Sequence, residues 1–267
     1  MTFSLSLFLG SPFRRMEVLG QHSTACFKNK TASYGFETNK KRIFVVTMEE
    51  IITFLTNVLH NNNRPWFQEH KNEYLSAQAK FNAIAEQLIA GVAEFDKDMQ
   101  GLTLKDCTYR FYRDTRFSSD KRPYKTHFGV FVCKGGKKSM LSGYYFQVQP
   151  KESEDYFSGN MLCTGMYMPF PQTLKNIREE VLYDGAPLDR AIKKAKGFTW
   201  DRHNALKRVP NGYPKDHPYA EFFKQRDWLL VKEISDEQLY GPDLVEWVLN
   251  EFKKTKDFCQ WLNRTEN

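Results

Sequence analysis

Apolar residues change their spacing twice along this 267-residue chain, and that order of periods constrains the fold more than any other feature. Ile51, Phe54, Leu55, Val58 and Leu59 recur at helical spacing, which predicts an amphipathic helix over 49–61. Asn61, Asn62 and Asn63 break it, because asparagine favours caps and turns. Pro65 suits the first turn of a second helix. Phe67, His70, Tyr74, Ala77, Phe81, Ile84, Leu88 and Val92 then form one long stripe. Two helices joined by so short a turn make an antiparallel hairpin.

The period then shortens. Cys107 to Arg113, His127 to Cys133, Gly143 to Gln149 and Tyr156 to Tyr167 are rich in aromatic and β-branched residues, which predicts strands. Lys134-Gly135-Gly136-Lys137 supplies a hairpin turn, and short connections favour antiparallel pairing. After Pro169 and Pro171 the helical period returns at Leu174, Ile177, Val181 and Leu182, and again over Pro187 to Lys196. Residues 199–218 are loop-like, with Pro210, Gly212, Pro214 and Pro218. Trp228 to Ile234 reads as a last strand, and Pro242 to Leu262 as a closing helix with Leu244, Val248 and Phe252 inward. The expected class is α+β: an antiparallel sheet of about four to six strands with helices packed on it, an N-terminal helical hairpin and a C-terminal helix.

Residues 1–47 have a different character. An apolar run from Phe3 to Leu9 precedes Arg14 and Arg15, the reverse of a secretory signal, and no small-residue cleavage pattern follows. The remainder to Thr47 is basic and rich in Ser and Thr. It fits a poorly ordered arm, a leader, or translated sequence upstream of a start at Met48. The expected division is therefore 1–47 as that arm and 48–267 as a single α+β domain. No apolar run approaches the ~20 residues of a membrane span. The five cysteines are odd in number and none is spaced C-x-x-C, so reduced thiols in the cytoplasm are expected rather than a disulfide framework.

The net charge of +7 is local. Residues 1–47 carry seven bases and two acids. Arg110 to Lys125 carries six bases and two acids, and the rest of the chain after Met48 is slightly acidic. The basicity therefore argues poorly for nucleic-acid binding over the whole surface. It argues for the string Arg110-Phe111-Tyr112-Arg113-Asp114-Thr115-Arg116-Phe117-Ser118-Ser119-Asp120-Lys121-Arg122-Pro123-Tyr124-Lys125. Cations are gathered there on a short connection stiffened by Pro123, with aromatic residues between them. Guanidinium suits bidentate contact with phosphate or carboxylate. The string is the expected binding site for an anionic group, with Arg113, Arg116, Lys121 and Lys125 as donors and Asp120 and Tyr124 beside them. The competing reading is structural, with Arg113–Asp114 and Arg116–Asp120 as internal ion pairs that only lock the loop.

Asn61 to Phe67 forms a second cluster, in which Arg64 and Trp66 meet a helix N-terminus that attracts anions. The alternative there is a capped helix start with Trp66 packed on the core. A third cluster, Leu206 to Pro210 with Tyr213 to Pro218, reads equally as a functional or a solvated loop. His127 and His217 are candidate acid–base groups near an anion. Phosphate-loop, dinucleotide, zinc-protease and nucleophile-elbow signatures are absent from the sequence, and the six histidines show no metal spacing. No cofactor or metal is expected.

Asn62-Asn63-Arg64-Pro65-Trp66-Phe67, the string from Arg110 through His127, and Leu206 through Pro218 resemble, in order and spacing, the bacterial and fungal family numbered 2461 among domains of unknown function. The likeness runs from about Met48 to the C-terminus and supports a domain start there. It departs between Tyr156 and Phe170, where the family has a shorter Gly-rich strand. The family is uncharacterised, so the resemblance implies no activity. From the residues, the leading function is binding of a phosphate- or carboxylate-bearing small molecule, or of nucleic acid, at 110–125. Four phosphate contacts to nucleic acid would give a log–log salt slope of about −3 to −4. A metal-independent phosphoryl- or ester-processing enzyme, with Asp120 or His127 as acid–base, is the alternative. A non-catalytic interaction module is the third.

Overall fold

The computed structural model describes residues 48–153 and 159–265. Helix α1 spans 48–60. It is followed by α2 (Arg64–Glu69) and α3 (Lys71–Phe95). The expected second helix is thus broken once, at His70, whose backbone leaves the helical region and whose ring lies 2.8 Å from the Trp66 carbonyl. Phe54 meets Tyr74 at 6.0 Å between ring centroids and Glu50 pairs with Lys80, so α1 and α3 run antiparallel.

Strands β1 (Phe128–Cys133), β2 (Gly143–Val148) and β3 (Met161–Met166) follow a short helix α4 (Leu104–Cys107). After them come α5 (Pro171–Asp184), α6 (Ala186–Lys194), β4 (Thr199–Trp200), α7 (Ala220–Phe223), β5 (Trp228–Glu233), α8 (Asp236–Leu239) and α9 (Leu244–Arg264). The sheet order is β1-β2-β3-β5-β4 with every neighbour antiparallel, so the fold is α+β. Three strand expectations are corrected, the first being that the loop-like span 199–218 opens with the two-residue strand β4 at the sheet edge, where it pairs with β5. Cys107 to Arg113 is not a strand. Cys107 ends α4, and the rest forms one isolated bridge to the sheet, Thr108–Val130, and a second within its own loop, Tyr112–Tyr124. Its aromatic residues serve packing, not a ladder. The third strand begins at Met161, and residues 156–158 of the expected span lie outside the described ones.

Alternation along each strand sorts the sheet into two faces. Phe128, Val130, Val132, Tyr144, Phe146, Val148 and Leu162 point into one core with the apolar stripes of α1, α3 and α9. Met166, Trp228 and Leu230 point the same way into a second core with α5, α6 and the last turns of α9. Helix α9 joins the two cores, giving Val248 and Phe252 to the first and Phe258, Trp261 and Leu262 to the second. Thr255 Oγ1 donates to Thr164 Oγ1 at 2.9 Å, a buried bond that seats α9 on the central strand. Glu251 is buried on the same helix and is matched by Lys232 at 3.0 Å and Lys254 at 2.7 Å. The opposite face, running through Phe131, Tyr145, Gln147, Met161, Cys163 and Leu229, has none of the long helices on it. Among the described residues no helix is long and apolar enough to cross a membrane.

Gly165 sits at φ 137° on the central strand, and a Cβ there would run into the Trp228 carbonyl oxygen of β5. Gly165→Ala is therefore expected to cost about 3 kcal/mol or more. Urea denaturation followed by tryptophan fluorescence checks it.

Candidate functional site

The basic string folds back on itself. Arg113 N–H donates to the Pro123 carbonyl and Lys125 N–H to the Phe111 carbonyl, each at 2.9 Å, so 111–113 and 123–125 form the stem of a hairpin-like loop. The stem is fixed by Asn62, which acts as a substitute strand edge. Its Nδ2 donates to the Tyr124 carbonyl and its Oδ1 accepts from the Tyr124 N–H, both at 3.0 Å. The Tyr124 ring stacks on Phe67 at 3.9 Å, and Phe111 packs between Phe54, Tyr74 and Phe128. Alternation thus sends Phe111 into the core, while Tyr112 is half-exposed.

Both acids of the string are taken by its arginines, in the opposite pairing from the one adjacency suggests. Successive side chains of an extended chain point to opposite sides. Arg113 therefore reaches across the loop to Asp120, which Arg122 also contacts at 2.7 Å, and Asp114 meets Arg116 two residues on, at 2.7 and 3.0 Å. Lys121 donates to the Thr115 carbonyl at 2.9 Å. Hydrogen bonds from Arg116 hold the Asp114 carboxyl down at about 2. Those from Arg122, and less so Arg113, hold Asp120 well below the usual carboxylate range. Asp120 is thus a fixed anion at neutral pH, with no proton to give.

Beside the stem, the sheet face opposite the long helices lines a cleft of about 1380 Å³. Phe131, Tyr145, Gln147, Met161, Cys163 and Leu229 supply its floor, and Tyr109, Tyr112, His127 and Tyr167 also line it. Among its lining residues are five bases, Lys105, Arg110, Arg113, Lys125 and Lys137, against one acid, Asp114. Such an imbalance over a low-dielectric floor concentrates anions. Lys125 differs from the other cations of the string. Its Nζ lies 5.0 Å from the centre of the Tyr109 ring, and among the described residues no carboxylate or carbonyl meets it. Burial first, then the charges of Arg110 and Arg113, push its pKa down. Lys137 approaches the same ring at 5.9 Å. The Cys163 thiol is pushed up to about 12 by burial, so it is no nucleophile at neutral pH.

Met140 and Met168 both line the cleft, and they are the two non-glycine residues with positive φ among the described ones, at 63° and 49°. Strain of this kind persists only where the surroundings enforce it, and it gathers at functional sites. At Met168 the enforcement is visible. Its N–H donates to Asp227 at 2.8 Å, and Asn204 holds the other oxygen of that buried carboxylate at 2.7 Å.

Of the residues singled out from sequence, Arg113 and Lys125 line the cleft. Arg116, Asp120 and Lys121 lie in the loop network beside it, and Tyr124 is in the core. Arg64 is exposed at the start of α2, where its charge partly offsets the rise that burial gives the Tyr124 hydroxyl. Trp66 stacks on His70 at 4.1 Å. His127 lines the cleft, whereas His217 does not and accepts from the Tyr219 N–H at 3.2 Å. Residues 206–218 contribute Val209 and Tyr213 to the second core instead. The floor residues escaped the sequence reading, although Tyr145, Gln147 and Gln149 alternate with Tyr144, Phe146 and Val148, a two-residue period that separates a polar from an apolar face. No group of three His, Cys, Asp or Glu that could hold a metal occurs among the described residues.

A model of the DUF2461 family, conserved hypothetical proteins, matches residues 50–261. The chain belongs to this family. The match includes both halves of the Asn62–Tyr124 clamp and the whole cleft lining, so the site lies within the DUF2461 region. No curated protein and no solved structure matches the chain.

Two outcomes follow from this geometry. Asn62→Ala leaves the backbone of buried Tyr124 without partners and should cost about 1–3 kcal/mol in urea denaturation. Asn62→Asp should cost more, because a carboxylate would face the Tyr124 carbonyl. Because the Asp114 and Asp120 pKa values are lowered, the stability their pairing contributes is fully present above the ordinary carboxylate value of ~3.9 and is lost as pH falls through the lowered folded values. The Nε–H resonance of Arg116 should hold its position below the ordinary carboxylate value and collapse toward about pH 2, and that of Arg122 should persist to lower pH than that of Arg116.

Proposed function

We propose that this protein binds a small organic anion, with its carboxylate or phosphate on Lys125 and its apolar or aromatic body over the sheet floor. The observation that carries the reading is Lys125 itself. A cation drawn out of water without a counter-charge costs free energy unless something supplies one. The neighbouring arginines are already served by Asp114 and Asp120, which points the proposed anion to Lys125, flanked by Arg110 and Arg113. The aromatic and thioether lining adds apolar contact, the usual composition of a small-molecule site.

Thermal shift against phenylacetate, phenyl phosphate, inorganic phosphate and a single-stranded oligonucleotide tests the reading. The two aryl anions should stabilise the wild type, and inorganic phosphate should do so less. Stabilisation by the oligonucleotide alone, with a steep salt dependence, would replace the small-molecule reading by nucleic acid. Lys125→Met should abolish the aryl shifts while raising the melting temperature of the free protein by about 2–4 °C, the equivalent of ~1 kcal/mol in a chain of this size. A variant that binds as before would defeat the assignment. Because the Lys125 pKa is lowered in the free protein, anion binding takes up a proton at alkaline pH. Affinity should therefore fall as pH rises through that lowered value, before the ordinary lysine value of ~10.4 is reached.

A further inference from the structure

We infer that the ligand carries a hydrogen-bond donor, a hydroxyl or N–H, besides its acidic group, and that Tyr145 selects for it. This inference rests on the anion-binding reading of the same cleft and concerns what the rest of the ligand must present.

The argument begins at Gly159, whose backbone groups have fixed polarity. Its N–H donates to Gln149 Oε1 at 3.1 Å, so that amide oxygen faces Gln147. Gln149 Nε2 accordingly turns the other way and donates to Thr126 Oγ1 at 3.2 Å. Gln147 Nε2 donates to Gln149 Oε1 at 3.1 Å and to the Gly159 carbonyl at 3.2 Å, an acceptor that admits only a donor. Gln147 therefore presents its oxygen to Tyr145. The Tyr145 hydroxyl must spend its one hydrogen there, and it donates to Gln147 Oε1 at 2.7 Å. Gln147 and Gln149 are buried, so flipping either amide would break several bonds out of reach of solvent.

Tyr145 is left with lone pairs alone. Burial raises its pKa far above neutrality, so the group remains a neutral phenol. No described residue donates to its oxygen. The ring leans over Gly129, where a Cβ would come within 2.5 Å of the hydroxyl oxygen, so the bare backbone of β1 is what admits it. An acceptor that has no hydrogen to offer repels a carboxylate or phosphate and accepts from a hydroxyl or N–H. The cleft thereby has a direction: the acid goes to Lys125, and the donor goes to Tyr145. Tyr109 stands at the acidic end, where it carries the Lys125 ammonium on its ring.

Calorimetric titration of the full chain with phenylacetate, its 3- and 4-hydroxy derivatives and its 4-methoxy derivative reads this out. The better-placed hydroxy acid should bind about three- to tenfold more tightly than phenylacetate, the worth of one added hydrogen bond. The methoxy acid, which has oxygen but no donor, should gain nothing. Tyr145→Phe should bind the hydroxy acid no more tightly than it binds phenylacetate, so that the hydroxyl preference disappears within the variant. Equal affinities in the wild type, or a hydroxyl preference that survives in Tyr145→Phe, would overturn the inference while leaving anion binding at Lys125 intact. Binding of none of the four acids would overturn both.

Discussion

The structure depends on one asymmetry: the long helices lie against a single face of an antiparallel sheet. Side chains on a strand alternate, so a sheet covered on one side must be apolar there and free to take another character on the other. Helix α9 enforces the choice of side. It crosses the sheet at the central strand through the Thr255–Thr164 bond and belongs to both apolar clusters, so neither can form without it. Once α9, α1 and α3 have taken Phe146, Val148 and Leu162, the residues between them face away from the core by geometry alone. The cleft is the surface left over when the core is complete.

A leftover face would ordinarily be wet and polar. Here it is walled by a segment that began as a problem for the chain: six bases within sixteen residues. Their repulsion is met by two carboxylates, with Asp120 shared between Arg113 and Arg122 and Asp114 given to Arg116. Arg113 and Lys125 both lie in the stem and in the cleft wall, but among the described residues Arg113 has a carboxylate partner in Asp120 and Lys125 has none. Under the proposed anion binding, loop stability and ligand attraction would use different cations, and the wall would be rigid and attractive together.

The sequence exposed the frame well because its signals were periodic. The stripes of α1, α3 and α9 and the aromatic runs of β1, β2 and β5 each repeat over many residues, and repeated signals survive local exceptions. It exposed the site unevenly. Charge density led to Arg113 and Lys125, but it gave equal weight to Arg116 and Lys121, because composition does not say which partner a cation finds in space. Arg64 and Trp66 drew notice as a helix start, yet the working residue of that turn is Asn62, whose partner stands 62 positions away. The β2 part of the floor, Tyr145 and Gln147, was legible in principle from the alternation in β2. Neither residue is charged at neutral pH, and so nothing in a search for charged chemistry pointed to them. Cys107 to Arg113 misled because aromatic content serves a packed, irregular segment as well as a strand.

The clamp between Asn62 and Tyr124 also bears on how the cleft is used. It ties the wall to the turn between α1 and α2, elements that are themselves buried in the main core. The wall cannot swing outward as a hinged flap without loosening the helical pair behind it. Under the proposed binding, a ligand would meet a trough whose shape is settled when the chain folds, and little of its binding energy would go to ordering the host. Its entry and exit would then be quick, with the host's backbone scarcely changed between the empty and occupied forms.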